Sequence, residues 1–148
     1  MKLFVDMDDA RQPDAVQFEL EEWIDCSPFE KLLGLKIESA AHGEALLSLP
    51  FKVKLANGGG VMHGGAMTSL ADTAVAMAIK SLLPSGTTFA TTGLTMEFLA
   101  PVVSGVVYAY ARVKSTGARS FEGTCELQSE DHQLYARFTS VFKVARQQ

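Results

Sequence analysis

Hydrophobic positions follow a helical period most clearly in one stretch of this chain. Met67, Leu70, Ala71, Ala74, Val75, Ala78, Ile79 and Leu82 are spaced i, i+3, i+4, i+7, and alanine fills five places between 66 and 78. One charged side chain, Asp72, lies between Ala56 and Ile79. A helix with so little polar surface is expected to be buried nearly all round, with Pro84 and Gly86 stopping it. Further on the period changes to two. In "RSFEGTCELQSE", Phe121, Gly123, Cys125 and Leu127 alternate with Glu122, Thr124, Glu126 and Gln128, which predicts an antiparallel strand with one wet face. "TTFATTGLTMEFLAP", "GVVYAYARVKS" and "LYARFTSVFKVA" predict three more long strands. Short connections at Pro101–Gly105, Thr116–Ala118 and Glu130–Gln133 predict a meander of hairpins.

The first third of the chain is less regular. "GLKIESAAHG" and "EALLSLP" predict a hairpin turning at His42-Gly43. Ser27-Pro28 is an N-cap followed by Pro at the first helical position and Gly34 is a stop, so a short helix is expected at 28–33. The spacing of Phe18, Glu21, Glu22 and Trp23 predicts another at 15–25. Residues 1–14 are polar and acidic and are expected to form a loosely held arm, leaving one domain over 15–148. A one-sided sheet needs an apolar cover, and the central helix is the element apolar enough to provide it. The expected architecture is α+β: a curled antiparallel sheet wrapped around one buried helix.

Composition narrows the function only a little. Hydrophobic residues are 47% of the 148 and charged residues 20%, an ordinary globular balance. The net charge is −4 with no basic block, which gives nucleic-acid binding little electrostatic support. Two cysteines, Cys26 and Cys125, fit a reduced intracellular chain better than a disulfide scaffold. The opening "MKLFVDMDDARQPD" lacks the apolar core of a signal peptide, and no run suits a membrane span. A cytoplasmic protein is expected.

The candidate chemistry lies where "NGGGVMHGG" enters the central helix. A helix N-terminus exposes unpaired N–H groups and a partial positive charge, and glycines let a ligand approach the backbone. Together they suit developing negative charge, such as the oxyanion of a thioester under attack; an ordinary flexible turn has the same composition. Asp72 lies nine positions after His63. At about 1.5 Å per residue, roughly 13 Å separates them along the axis. A second copy with its helix antiparallel to the first would place its Asp72 at the first chain's glycine turn, which predicts a two-fold dimer with two shared sites. Asp72 bonding Ser69 or Thr73 is the structural alternative.

"NGGGVMHGGAMTSLADTA" resembles the signature of hotdog-fold acyl-CoA thioesterases of the PaaI-like group, and "ARVKSTGARSFEGTCELQSEDHQLYARFTSVFKV" resembles that family's closing strands. The resemblance spans roughly residues 28–145 and implies a long helix wrapped by five or six antiparallel strands. It implies a homodimer joined sheet edge to sheet edge, with dimer or dimer of dimers left open, acting on acyl-CoA; thioester hydrolysis needs a base, a poised water and oxyanion donors, so no metal and no separate cofactor are expected. By this resemblance Asp72 is the catalytic carboxylate, as base or as nucleophile, and Gly64 supplies the N–H that polarises the carbonyl. Asn57 lies near the thioester or the water, His63 helps hold the site, and Thr91, or its neighbour Thr92, orients water. Ala76 stands where some Glu-using relatives carry a hydroxyl, so the chain fits the Asp-using branch. Lys114, Arg119 and Ser120 are candidates for the coenzyme's phosphate end, and Met62, Met67, Met77 and Met96 for the acyl pocket. Two further readings stay open: a hydratase or dehydratase of the same fold, and a non-catalytic acyl-binding protein. Aryl, hydroxyaryl and medium-chain fatty acyl groups are equally compatible with the sequence.

Overall fold

The computed structural model describes residues 1–146. Helix α1 spans Pro28–Leu33 and the long helix α2 spans Gly64–Lys80. The strands are β1 (Lys2–Leu3), β2 (Phe18–Glu19), β3 (Lys36–Ala41), β4 (Glu44–Pro50), β5 (Phe89–Phe98), β6 (Val106–Gly117), β7 (Ser120–Gln128) and β8 (Leu134–Val144). β3 to β8 form one antiparallel sheet in the order β3-β4-β6-β7-β8-β5, and it wraps α2. This is the α+β hotdog arrangement.

The alternation along β7 decides how the layers meet. Phe121, Gly123, Cys125 and Leu127 are buried under α2, while Glu122, Thr124 and Glu126 face out. Gly123 is the seat of the helix: a Cβ there would lie 2.2 Å from Val75 Cγ1. Only a residue without a side chain lets helix and sheet approach so closely. Leu70, Ala71, Ala74, Val75, Ala78 and Ile79 are fully buried, as the period predicts. The opposite stripe, Ser69, Asp72, Thr73 and Ala76, is half-buried. α2 ends at Lys80, so Leu82 lies beyond it and is exposed.

Two expectations are corrected. Residues 15–25 form no helix. Phe18–Glu19 pairs with Lys2–Leu3 instead, so the arm expected at 1–14 folds back on the residues after it. Trp23 is drawn to the end of α2: its indole Nε1 donates to the Lys80 carbonyl (2.9 Å), and Lys80 Nζ donates to the Trp23 carbonyl (2.9 Å). That carbonyl is thereby engaged by a tertiary contact, which overrides a weak local propensity. The meander is the second correction. β6, β7 and β8 are joined by hairpins, but β5 pairs with β8, and Pro101–Gly105 carries the chain across to place β6 beside β4.

β5 therefore forms an edge of the sheet. A bulge lies between Thr91 and Gly93. Thr91 pairs with buried Phe142 and Phe98 with buried Ala136, so both side chains point inward. Leu94 and Phe98 are nevertheless 45% and 54% exposed, because no described element covers the inner face beside the half-buried stripe of α2.

Candidate active site

The loop before α2 is built by its own backbone. Asn57 N–H donates to the Val61 carbonyl and Gly60 N–H to the Asn57 carbonyl, with Gly60 at φ +83°. The Asn57 side-chain oxygen accepts from Gly59 N–H (2.9 Å) and Val61 N–H (3.3 Å). Two backbone donors fix which end of the amide is oxygen. The Asn57 Nδ2 group has no acceptor among the described residues.

The first turn of α2 is capped in a particular way. His63 is the N-cap, and its Nδ1 accepts from Gly65 N–H at 2.8 Å. A ring accepting at Nδ1 carries its proton on Nε2 when neutral. Ala66 N–H donates to the His63 carbonyl. Gly64 N–H alone of these three has no acceptor among the described residues. It is a helix-start donor left free where the helix's positive end concentrates.

Two hollows flank this turn. One, of about 340 Å³, brings together Asn57, Gly64 and Met67 with Phe98, Leu99 and Pro101. The other, of about 360 Å³, lies against α1 and takes in His63, Gly65 and Ser69 with Phe29 and Lys54. Asn57 and Gly64 thus share a space, and His63 looks the other way. Of the methionines, Met62 and Met67 line the first hollow, whereas Met77 is packed in the core and Met96 is half-buried on β5.

Asp72 stands two turns along α2, eight residues from Gly64. That separation is about 12 Å along the axis, so one chain does not unite the two groups. Thr91 Oγ1 donates to Asp72 Oδ1 at 2.8 Å, and Oδ2 has no donor among the described residues. The bulge chooses between the two threonines: Thr92 Oγ1 donates to the Val141 carbonyl instead. Burial pushes the Asp72 carboxyl above its ordinary value, and the Thr91 bond pulls it down less strongly. Ser69 donates to the Gly65 carbonyl and makes no bond to Asp72.

Lys114, Arg119 and Ser120 gather at the β6–β7 turn. Lys114 pairs with Glu122 (3.5 Å), Arg119 donates to the Val144 carbonyl (3.1 Å), and Ser120 accepts from Lys143 Nζ (2.9 Å). Phe121, Phe142 and Thr91 stand side by side on neighbouring strands, which puts this turn at the Asp72 end of the sheet. Burial raises the Cys26 and Cys125 thiols, which makes either a poor nucleophile. Among the described residues, no cluster of His, Cys, Asp and Glu is arranged to hold a metal, and no helix is long and apolar enough to cross a membrane.

Sequence reasoning missed Phe98. Its inward aim at an uncovered edge follows from the place of β5 in the sheet and from the bulge, neither of which leaves a local sequence signal.

The hotdog fold, with a glycine loop leading into its His63-capped helix, is the frame of the thioesterases. The thioesterase superfamily matches residues 59–136, and the chain belongs to it. Its PaaI-like character is carried by particular relatives. The acyl-coenzyme A thioesterase PaaI of Escherichia coli is 31% identical, over 73% of this chain and 76% of that protein. A candidate esterase of Halobacterium salinarum is 34% identical, over 67% and 68%. The solved structure of a conserved Pseudomonas aeruginosa protein superposes with a TM-score of 0.79 at 31% identity, covering 86% of this chain and all of that one.

Proposed function

We propose that the chain hydrolyses acyl-CoA thioesters to the free acid and coenzyme A, as a homodimer whose two sites each draw on both subunits. The observation that carries this reading is the presence of a half-buried carboxylate, Asp72, held above its ordinary pKa by desolvation, and a free helix-start donor, Gly64 N–H, too far apart to meet within one chain.

A two-fold axis near Leu94 resolves the separation. On each β5, Thr91 lies at one end beside Asp72, and Phe98 lies at the other beside Gly64. Antiparallel pairing of two β5 edges about their midpoint sets the Thr91 end of one against the Phe98 end of the other. Asp72 of the partner subunit then reaches the Gly64 turn, and each basic β6–β7 turn accompanies its own Asp72 toward the shared site, where it is suited to the coenzyme's phosphates. The exposed inner face of β5 is the surface such pairing would cover.

In this arrangement the thioester oxygen accepts from Gly64 N–H and the Asn57 amide. Water gives a proton to Asp72 Oδ2 while its oxygen bonds to the thioester carbon. The carbonyl electrons move onto oxygen, where the two donors hold the charge. Collapse breaks the C–S bond, and the leaving thiolate takes the proton. Attack by the carboxylate itself would give an anhydride that water then cleaves, using the same groups. Thr91 fixes the rotamer of Asp72, and His63 occupies Gly65 N–H so that Gly64 is the donor presented. The chemistry calls on no metal, and coenzyme A is part of the substrate. The His63 contact speaks against a hydratase, because Nδ1 is already engaged and Nε2 holds the proton.

Mixed dimers test the reading. Asp72→Asn and Asn57→Ala homodimers are each expected to be inactive against a panel of acyl-CoAs. Mixing and re-forming the dimers is expected to restore about a quarter of wild-type activity, since half the dimers are mixed and each holds one intact site. If Asp72 and Asn57 served a site within one chain, mixing would restore nothing.

A further inference from the structure

Resting on that reading, we infer that Phe98 sets which acyl groups the site accepts, by walling the space next to the Gly64 donor. A methyl group at Gly64 would lie 3.1 Å from Phe98 Cζ and 3.3 Å from Cε1. The tip of the ring therefore stands over the residue whose N–H is free. Any carbonyl oxygen bound there has the ring as its neighbour, and the first carbons of the acyl group lie against it.

Phe98 is suited to this place in three ways. It points inward yet is 54% exposed within one chain, on the face that β5 pairing would cover, so in the proposed dimer its ring borders the space between the subunits rather than filling its own core. That space is the 340 Å³ hollow, which is apolar apart from Asn57 and so matches an acyl group and not the charged end of coenzyme A. The backbone that carries the ring is also fixed, because Phe98 is the last residue of β5 and the chain just beyond it is pinned: Leu99 N–H and Ala100 N–H both donate to the Tyr135 carbonyl. A fixed wall close to the carbonyl discriminates at the first acyl carbons. Straight acyl groups pass along the ring, and groups branched at the carbon next to the carbonyl meet it. A hydrophobic wall of this kind separates substrates that differ by a methyl or methylene group.

The experiment compares kcat/KM for butyryl-CoA and isobutyryl-CoA in the wild type, Phe98→Leu and Phe98→Ala, with hexanoyl-CoA and phenylacetyl-CoA completing the panel. The isobutyryl-to-butyryl ratio is expected to rise about tenfold in Phe98→Ala, the low end of the range for one hydrocarbon group against a pocket wall, and about threefold in Phe98→Leu, which keeps part of the wall. A purely structural role would lower both substrates together and leave the ratio alone. Melting temperature and dimer state are recorded for each variant. If Phe98→Ala does not fold, Phe98→Leu decides: a ratio within its error of wild type overturns the assignment. Wild-type enzyme that hydrolyses nothing in the panel defeats the thioesterase reading itself. Hydrolysis with an unmoved ratio defeats only the role of Phe98.

Discussion

The two ends of α2 differ in how their polar groups are satisfied. At the C-terminal end everything is closed. The Lys80 carbonyl accepts from Trp23, the Lys80 ammonium donates to the Trp23 carbonyl and lies 4.6 Å over the indole ring, and Ser81 Oγ accepts from Gly43 N–H. At the N-terminal end one N–H is left over, an asparagine amide points away from its own loop, and a hollow lies beside both. One helix thus has an end finished by the fold and, among the described residues, an end with a donor unfilled. Unpaired donors are costly unless water or a ligand takes them, so the asymmetry supports the place proposed for the chemistry.

Substitutions at each end sharpen that contrast. The largest effect is expected from the residue the open end lacks within its own chain. Asp72→Asn is expected to lower kcat by about a hundredfold to ten-thousandfold, the usual worth of a positioned general base. Its stability should move the other way. Folded Asp72 holds its proton more tightly than unfolded Asp72, so its contribution falls as pH rises from the ordinary carboxylate range through its raised value. Thermal denaturation at pH 7 is therefore expected to show Asp72→Asn melting higher than wild type, with the advantage vanishing near pH 3. Equal melting temperatures at both values would contradict the buried-carboxylate account.

Gly64→Ala comes next. The new methyl group meets the Phe98 ring at 3.1 Å, so ring and turn must shift by a few tenths of an ångström. A loss of about tenfold to a hundredfold in kcat/KM is expected from the displaced donor, with melting little changed. The smallest effect belongs to the closed end. Trp23→Phe removes the donor to the Lys80 carbonyl and should cost about 0.5–1.5 kcal/mol. That is a melting shift of a few degrees, with kcat/KM within threefold of wild type. A large activity loss from Trp23→Phe, or a large stability loss from Gly64→Ala, would erase the distinction between the ends.

Much of the fold could be read in the chain because its strongest patterns are local. The period of α2, the alternation of β7, the Ser27-Pro28 start with its Gly34 stop, and the His42-Gly43 turn each declare themselves within a dozen residues. His42 and Gly43 both adopt positive φ, at 55° and 78°. The glycine turn and Asp72 stood out by the same locality. The features that could not be read are tertiary. Residues 15–25 carry helical spacing but are held by pairing to Lys2–Leu3 and by Lys80, a residue 57 positions from Trp23. Strand order escaped because short connections suggest neighbours, whereas β5 finds its partner in β8, across two intervening strands of sequence. The choice of Thr91 over Thr92 depends on a bulge, which residue type does not announce.

That bulge governs more than one side chain. Thr91 and Phe98 are seven residues apart, an odd number, and in an uninterrupted strand they would emerge on opposite sides. The extra residue resets the phase, so the hydroxyl that steadies the acid and the ring that guards the carbonyl both face the same interior. Drawing the strand straight at its present length would turn one of the two outward, whereas taking out the extra residue along with the bulge would keep them together.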